Sequence, residues 1–259
     1  MYTPSHSTTS ATGHLRLGLQ GYPGTGKTTG ALTFPNVFAL DFDHKLPSGV
    51  QAVNFWDPAV VDKIKSRGNP KWPANKAGAL LDFLATEGPK FSAEQTLLID
   101  SFTMVDAAWH DCTNANPPRN KEGEVNSMAI WGLKLDYMRA LFDRMRSMAC
   151  NIVVTFHESE KTNVDGVTVN KCRPLLQGSF RDQIAGHFTA FYRCVVDPVD
   201  KDADGKVIKV NGSPVVKPGY WWQVMSDDTF DAVNSPDYRV TERYVRPTYQ
   251  SILSMLPKQ

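Results

Sequence analysis

Short apolar runs separated by longer mixed stretches set the rhythm of this chain. Residues 14–20 (HLRLGLQ), 36–41 (NVFALD), 95–100 (QTLLID) and 151–156 (NIVVTF) are compact and bounded by polar residues. That is the pattern of strands buried on both faces of a parallel sheet. Residues 187–196 supply another such run. Between the runs, apolar positions recur at helical spacing. This predicts helices over 58–66, over 75–87 (Ala77, Leu80, Leu81 and Leu84 on one face) and over 102–112. The longest is predicted over 127–148, with a stripe of Ile130, Leu133, Leu135, Met138, Leu141, Phe142 and Met145. Strands alternating with helices predict an α/β fold with a mostly parallel central sheet flanked by helices.

The remaining segments read as punctuation. Residues 44–57, 113–126 and 158–180 are loops by composition. From residue 197 the texture changes to a turn-rich stretch, DPVDKDADGK, between the extended segments 207–210 and 219–225. This predicts an antiparallel C-terminal hairpin, followed by a short helix near 248–256. Residues 1–13 read as a disordered leader of Ser, Thr and Pro. Residues 14–259 then form one domain, with a core over 14–196 and an extension over 197–259.

Charge narrows the function classes. Lys and Arg total 28 against 27 Asp and Glu, a net charge of +1. A uniformly basic nucleic-acid binder and an acidic tail protein are excluded, whereas a local basic groove is not. No apolar run approaches the ~18 residues of a membrane span, and the first residues lack the apolar segment of a signal peptide. Cys112, Cys150, Cys172 and Cys194 include no C-x-x-C pair, so neither zinc nor a disulfide framework is expected. The expectation is a reduced, cytoplasmic protein with no membrane contact.

The chemistry concentrates in Gly21, Tyr22, Pro23, Gly24, Thr25, Gly26, Lys27 and Thr28, with Thr29 next in line. These residues fit G-x-x-x-x-G-K-[ST] at every fixed position. Glycines let the backbone turn its N–H groups inward, and the following helix start completes an anion nest. Lys27 is placed to reach the β and γ phosphates of a nucleotide, and the Thr28 hydroxyl to ligate Mg²⁺. A carboxylate ending a buried strand is the second requirement, and Asp100 supplies it; it can hold a metal-bound water without touching the ion. A nucleoside triphosphate and Mg²⁺ are the expected ligands, with ATP only as the resemblance below implies. No Asn-Lys-x-Asp guanine signature is present, and no Arg cluster follows Asp100 to form the lid of a small-molecule kinase.

In order, the chain carries the phosphate loop, a strand ending Asp41-Phe42-Asp43, a strand ending Ile99-Asp100-Ser101, and a strand ending Thr155-Phe156-His157-Glu158. Over about residues 14–196 this resembles the RecA-like P-loop ATPases. More closely it resembles compact phage-encoded ATPases of that superfamily, the Sak type, linked to single-strand annealing and recombination. The resemblance implies that Asp43, or Asp41, orients the attacking water, although the family more often has Glu at the second position. It implies that His157, where Gln is common, senses the γ-phosphate; Thr155 can also line the site.

The same resemblance implies DNA-binding loops after the third and fourth core strands. Their cations here are Arg119 and Lys121, then Lys161, Lys171 and Arg173, with Arg181 beyond. Glu158, Glu160 and Asp165 dilute the second group. Lys134, Arg139, Arg144 and Arg146 read instead as the solvated face of the long helix. Implied partners are single-stranded DNA, further copies of the chain in a ring or filament, and a phage single-strand-binding protein, in the host cytoplasm. Lys206, Lys209, Arg239 and Arg243 are candidates for a cation donated to a neighbour's site. Trp221 and Trp222 read as core or subunit contact, on opposite faces of one strand. Two other readings share the nucleotide site: an ATP-dependent assembly switch with little hydrolysis, and a helicase-loader or packaging-type motor.

Overall fold

The computed structural model describes residues 14–159, 162–164, 167–169, 171–178, 180–197, 206–214 and 219–256. The leader 1–13 and Lys161 lie outside them. Strand β1 (Arg16–Gly21) leads through the glycine loop into α1 (Lys27–Ala31), then β2 (Val37–Asp41) and a short β3 (Ala52–Asn54). Helices α2 (Pro58–Lys65) and α3 (Lys76–Thr86) precede β4 (Thr96–Asp100). Helices α4 (Phe102–Ala115) and α5 (Ser127–Ser147) precede β5 (Asn151–Ser159). Strand β3 lies inside a stretch the composition reads as loop.

After β5 come β6 (Thr162–Val164) and β7 (Val167–Val169), which form an antiparallel hairpin where the sequence suggests an irregular loop. Next are β8 (Arg173–Pro174), α6 (Phe180–Gln183) and β9 (Ala190–Asp197). The C-terminal part holds β10 (Lys209–Val210), β11 (Ser213–Pro214), β12 (Gly219–Gln223), β13 (Val233–Asn234), β14 (Tyr244–Val245) and α7 (Tyr249–Met255).

The main sheet runs β14-β12-β9-β1-β5-β4-β2-β3. Its pairings from β9 to β3 are parallel, β12 pairs antiparallel with β9, and β14 pairs antiparallel with β12. The expected antiparallel hairpin exists as β10 with β11. Residues 219–223 do not join it. They pair with β9, and Trp221 and Trp222 on opposite faces of β12 are both buried there, Trp222 in the core shared with α1 and α7.

Side-chain alternation divides the core in two. Leu97, Ile99, Ile152, Val154 and Phe156 pack against α3, α4 and α5 on one face. Leu17, Leu19, Ala39, Leu98 and Val153 pack against α1, Trp222 and α7 on the other. Continued past the last apolar residue, the same alternation puts Asp100, Thr155 and His157 on the α1 face.

Helix α5 departs from its predicted stripe. Met138, Leu141, Phe142 and Met145 are buried, whereas Leu133 and Leu135 are exposed. Lys134, read as solvated, is 1% exposed. Its ammonium reaches Asp106 (2.7 Å), His110 Nε2 (2.9 Å) and the Gln177 carbonyl (2.8 Å), which satisfy the charge inside. The helix begins at Asn126, whose side-chain oxygen accepts from the Ala129 N–H at 3.0 Å. Asn126→Ala removes this cap. Urea denaturation should show a loss of about 1 kcal/mol.

Candidate nucleotide site

Strand β1 is central, between β9 and β5, so its C-terminal end opens onto the middle of the sheet edge. The loop there is closed by the Thr25 N–H and hydroxyl, both donating to the Tyr22 carbonyl (3.3 and 2.8 Å). Gly24 and Gly26 hold φ of 80° and 81°, the left-handed region that a Cβ disfavours. No side chain caps α1. Its first N–H groups therefore have no intrahelical partner and suit an anion.

Lys27 is 7% exposed and folds back to donate to the Gly21 and Tyr22 carbonyls, each at 2.8 Å. Burial pulls its pKa below the ordinary lysine value, and Asp100 and Asp43 offset only part of that. The protein alone under-compensates this ammonium, so a polyphosphate fits.

Asp100 shows the opposite imbalance. The Thr28 hydroxyl donates to its Oδ2 at 2.6 Å and the Thr155 hydroxyl to its Oδ1. Even so, burial raises the carboxyl pKa, and nearby Asp43 raises it further. A carboxylate and a hydroxyl side by side, with uncompensated negative charge, are a donor set for a hard cation such as Mg²⁺. Thr28 and Asp100 are the residues that would hold it.

Asp41 and Asp43 separate cleanly. Asp41 Oδ1 accepts from the N–H groups of Asp43 (3.1 Å) and His44 (2.8 Å), so it builds the turn after β2. Asp43 faces the cavity. Its Oδ1 accepts from Ser101 Oγ at 3.0 Å, and its Oδ2 lies 2.9 Å from His157 Nε2. Burial works against its charge, but the bonds from His157 and Ser101 prevail and hold the pKa below the usual carboxylate value. The His157 backbone is fixed in turn by its main-chain N–H, which donates to Thr103 Oγ1 at 3.0 Å.

Lys27, Thr28, Asp43, Asp100 and His157 thus line one cavity of about 460 Å³ with the phosphate loop. That volume lies within the range of small-molecule sites. Residues not singled out from the sequence complete the site: Thr33, Lys45, Tyr220, Pro247 and Thr248 line the cavity, and Ser101 and Thr103 bond Asp43 and His157 from behind it. Ser101 and Thr103 follow Asp100 on the start of α4 and were readable as hydroxyls beside a strand-end acid. Tyr220 and the Pro247-Thr248 pair belong to the C-terminal segment, and no local signal marks them. Glu158, by contrast, points away. It is buried in a two-pronged ion pair with Arg193 (2.7 and 2.8 Å) and accepts from Gln20.

The described candidate DNA cations lie outside this cavity, and Arg119, Lys171 and Arg173 are engaged. Arg119 donates to the Gly123 carbonyl of its own loop at 2.5 Å. Lys171 pairs with Asp231 at 3.1 Å, and Arg173 pairs with Asp182. Lys121 is exposed. Of the candidates for a donated cation, Arg243 pairs with Asp227, and none lines the cavity.

A glycine loop between a central parallel strand and a helix, facing an acid at the end of a neighbouring strand, defines a P-loop NTPase of RecA-like arrangement. The chain belongs to the family described as AAA domain, which it matches over residues 14–218. Membership in that superfamily supports ATP binding and hydrolysis in general terms. No curated protein sequence matches. Among solved structures, the chain is similar to an ATPase from the type III secretion system of pathogenic bacteria. The identity is 13% and the TM-score 0.39, over 69% of this chain and 50% of that one. It therefore spans half the length of that ATPase. It is also similar to the RadB recombinase (11%, TM-score 0.37, 84% of this chain and 90% of that one). A third likeness is to the flagellar accessory protein FlaH from Methanocaldococcus jannaschii (10%, TM-score 0.37, 84% and 79%). No helix among the described residues is long and apolar enough to cross a membrane.

Proposed function

We propose that this protein is a magnesium-dependent ATPase that works as a nucleotide-controlled assembly switch with slow basal hydrolysis. The observation that carries the reading is the grip on Asp43. Both of its oxygens are engaged, one by Ser101 and one by His157. A general base must reach the proton it takes, so Asp43 serves a water only after exchanging His157 for it. Lys27 and the loop N–H groups hold the triphosphate, and Thr28 and Asp100 hold the metal. Bound Mg²⁺ supplies Lewis-acid neutralisation of phosphate charge. His157 ends its bond to Asp43 when it turns to a phosphate oxygen, which ties the state of the cavity to β5 and the hairpin beyond it.

The test is phosphate release together with oligomer size by light scattering, with and without ATP. The wild type should turn over slowly and change oligomeric state with ATP. Asp43→Ala should lower turnover by about a hundred-fold or more and leave the ATP-dependent assembly intact. Turnover untouched by the substitution, or a size indifferent to nucleotide, would refute the reading.

The second reading is a single-stranded-DNA-dependent ATPase of phage annealing or recombination, acting with a single-strand-binding protein in the host cytoplasm. The position of β6 and β7, directly beyond the strand that bears His157, favours it. Strong stimulation of turnover by single-stranded DNA would establish this reading over the switch.

A further inference from the structure

The cavity has a second wall that the phosphate chemistry does not use. Strand order places β1 and its loop between two flanks. Strands β5, β4 and β2, with His157, Asp100 and Asp43 at or just beyond their ends, lie to one side. Strands β9, β12 and β14 lie to the other. From that side come Tyr220, on β12, and Pro247 and Thr248, which follow β14; all three line the cavity, as does Thr33 just past α1.

This wall is built onto α1. Tyr220 and Trp222 are two apart on a strand and so share a face. Gly26 and Gly30 are one helical turn apart. The Tyr220 ring lies 3.0 Å from where a Cβ on Gly26 would sit, and the Trp222 ring 2.8 Å from one on Gly30. Trp222 is fully buried and anchors the strand; Tyr220 is 41% exposed and presents its ring to the cavity. The Tyr249 N–H donates to Thr33 Oγ1 at 2.8 Å, which ties the C-terminal helix to the same place.

Among the described residues, the polar side chains on this wall are all hydroxyls: Thr29, Thr33, Tyr220 and Thr248. Thr33 Oγ1 donates to the Gly30 carbonyl, and Thr248 Oγ1 is bonded to Ser251. A hydroxyl both donates and accepts, and it rotates to suit its partner. It therefore serves a 6-amino group and a 6-oxo group equally. Among the described residues, the backbone donors at 247–249 are also taken or absent. Pro247 has no N–H, its carbonyl oxygen faces Gly30, and the N–H groups of Thr248 and Tyr249 are already bonded. No amide or carboxylate side chain lines this wall among the described residues. Strong discrimination between bases requires fixed donors or acceptors.

We propose that the C-terminal segment forms the nucleobase subsite, with the Tyr220 ring as stacking platform, and that it takes nucleoside triphosphates without choosing adenine over guanine. This rests on the reading of the cavity as a nucleotide site. The triphosphate lies on the loop, and the base extends toward β12.

The test is displacement of a ribose-labelled fluorescent ATP from the full chain by ATP, GTP and inorganic tripolyphosphate. ATP and GTP should bind within about five-fold of each other. Tyr220→Ala should weaken both by about ten-fold or more, the scale of a lost base stack, and leave tripolyphosphate unchanged. Tyr220→Phe should behave as the wild type. ATP preferred over GTP by more than about a hundred-fold overturns the claim of no readout. Unchanged ATP binding in Tyr220→Ala, or parallel loss of tripolyphosphate, overturns the stacking role. If the wild-type chain binds none of the three, the nucleotide site itself is wrong.

Discussion

Lys27→Ala should lower ATP turnover by about a hundred-fold or more without unfolding the protein. The side chain is 7% exposed and donates to two loop carbonyls, and burial depresses its pKa. The sign of that depression matters. A lysine whose folded pKa lies below its unfolded value costs the fold stability at neutral pH, and the cost fades as pH rises from the folded value to about 10.4. Removing the charge relieves this cost, so the melting temperature of the nucleotide-free protein should not fall. What is lost is a pre-placed cation where phosphate charge builds up. Loss of one such preorganised group lowers turnover by about a hundred- to a thousand-fold. Binding supplies an independent readout. ATP at about a hundred times its Kd should stabilise the wild type by about 2.7 kcal/mol. The variant should show almost none of this shift. Full turnover, or an undiminished thermal shift with ATP, would remove Lys27 from the site.

The parts of this site that were legible in the sequence share one property: their geometry is local. The glycine loop needs only its own residues to turn. Asp100 and His157 each follow a buried strand whose alternation sets the face they take, and the parallel register aligns those strand ends. The Asp41–Asp43 choice is open in the sequence; in the structure Asp41 Oδ1 accepts two turn N–H groups, whereas Asp43 lines the cavity. The illegible parts depend on distant partners. Tyr220 and Thr248 reach the loop from about two hundred residues away, through strands too short to announce their pairing. The ion pairs of Lys171 and Arg173 need Asp231 and Asp182, which only the fold brings near. Lys134 read as surface because a lone charge in an apolar helix usually is; its acid lies on another helix.

That acid carries the largest expected effect on stability. Asp106 is 2% exposed, lies 2.7 Å from the Lys134 ammonium, and accepts from the Gln177 N–H at 2.9 Å. The pair joins α4, α5 and the segment after β8 inside the core. Asp106→Ala leaves Lys134 charged and buried, with only His110 and a carbonyl for company. Breaking a buried pair from one side costs about 3–5 kcal/mol, and urea denaturation at neutral pH should show a loss of that size. The pH dependence identifies the cause. Burial already lowers the Lys134 pKa, and loss of the acid lowers it further. Between the folded value and about 10.4 the unfolded chain then binds more protons than the folded one, so the variant should regain stability as pH rises. His110, whose pKa is lowered by burial and by Lys134, is neutral throughout this window and adds no slope. Asp106→Ala combined with Lys134→Met removes both charges and should recover much of the loss at neutral pH, with the excess slope gone. A single variant that loses less than about 1 kcal/mol, or a deficit flat with pH, would mean that the charge pair does not hold these helices together.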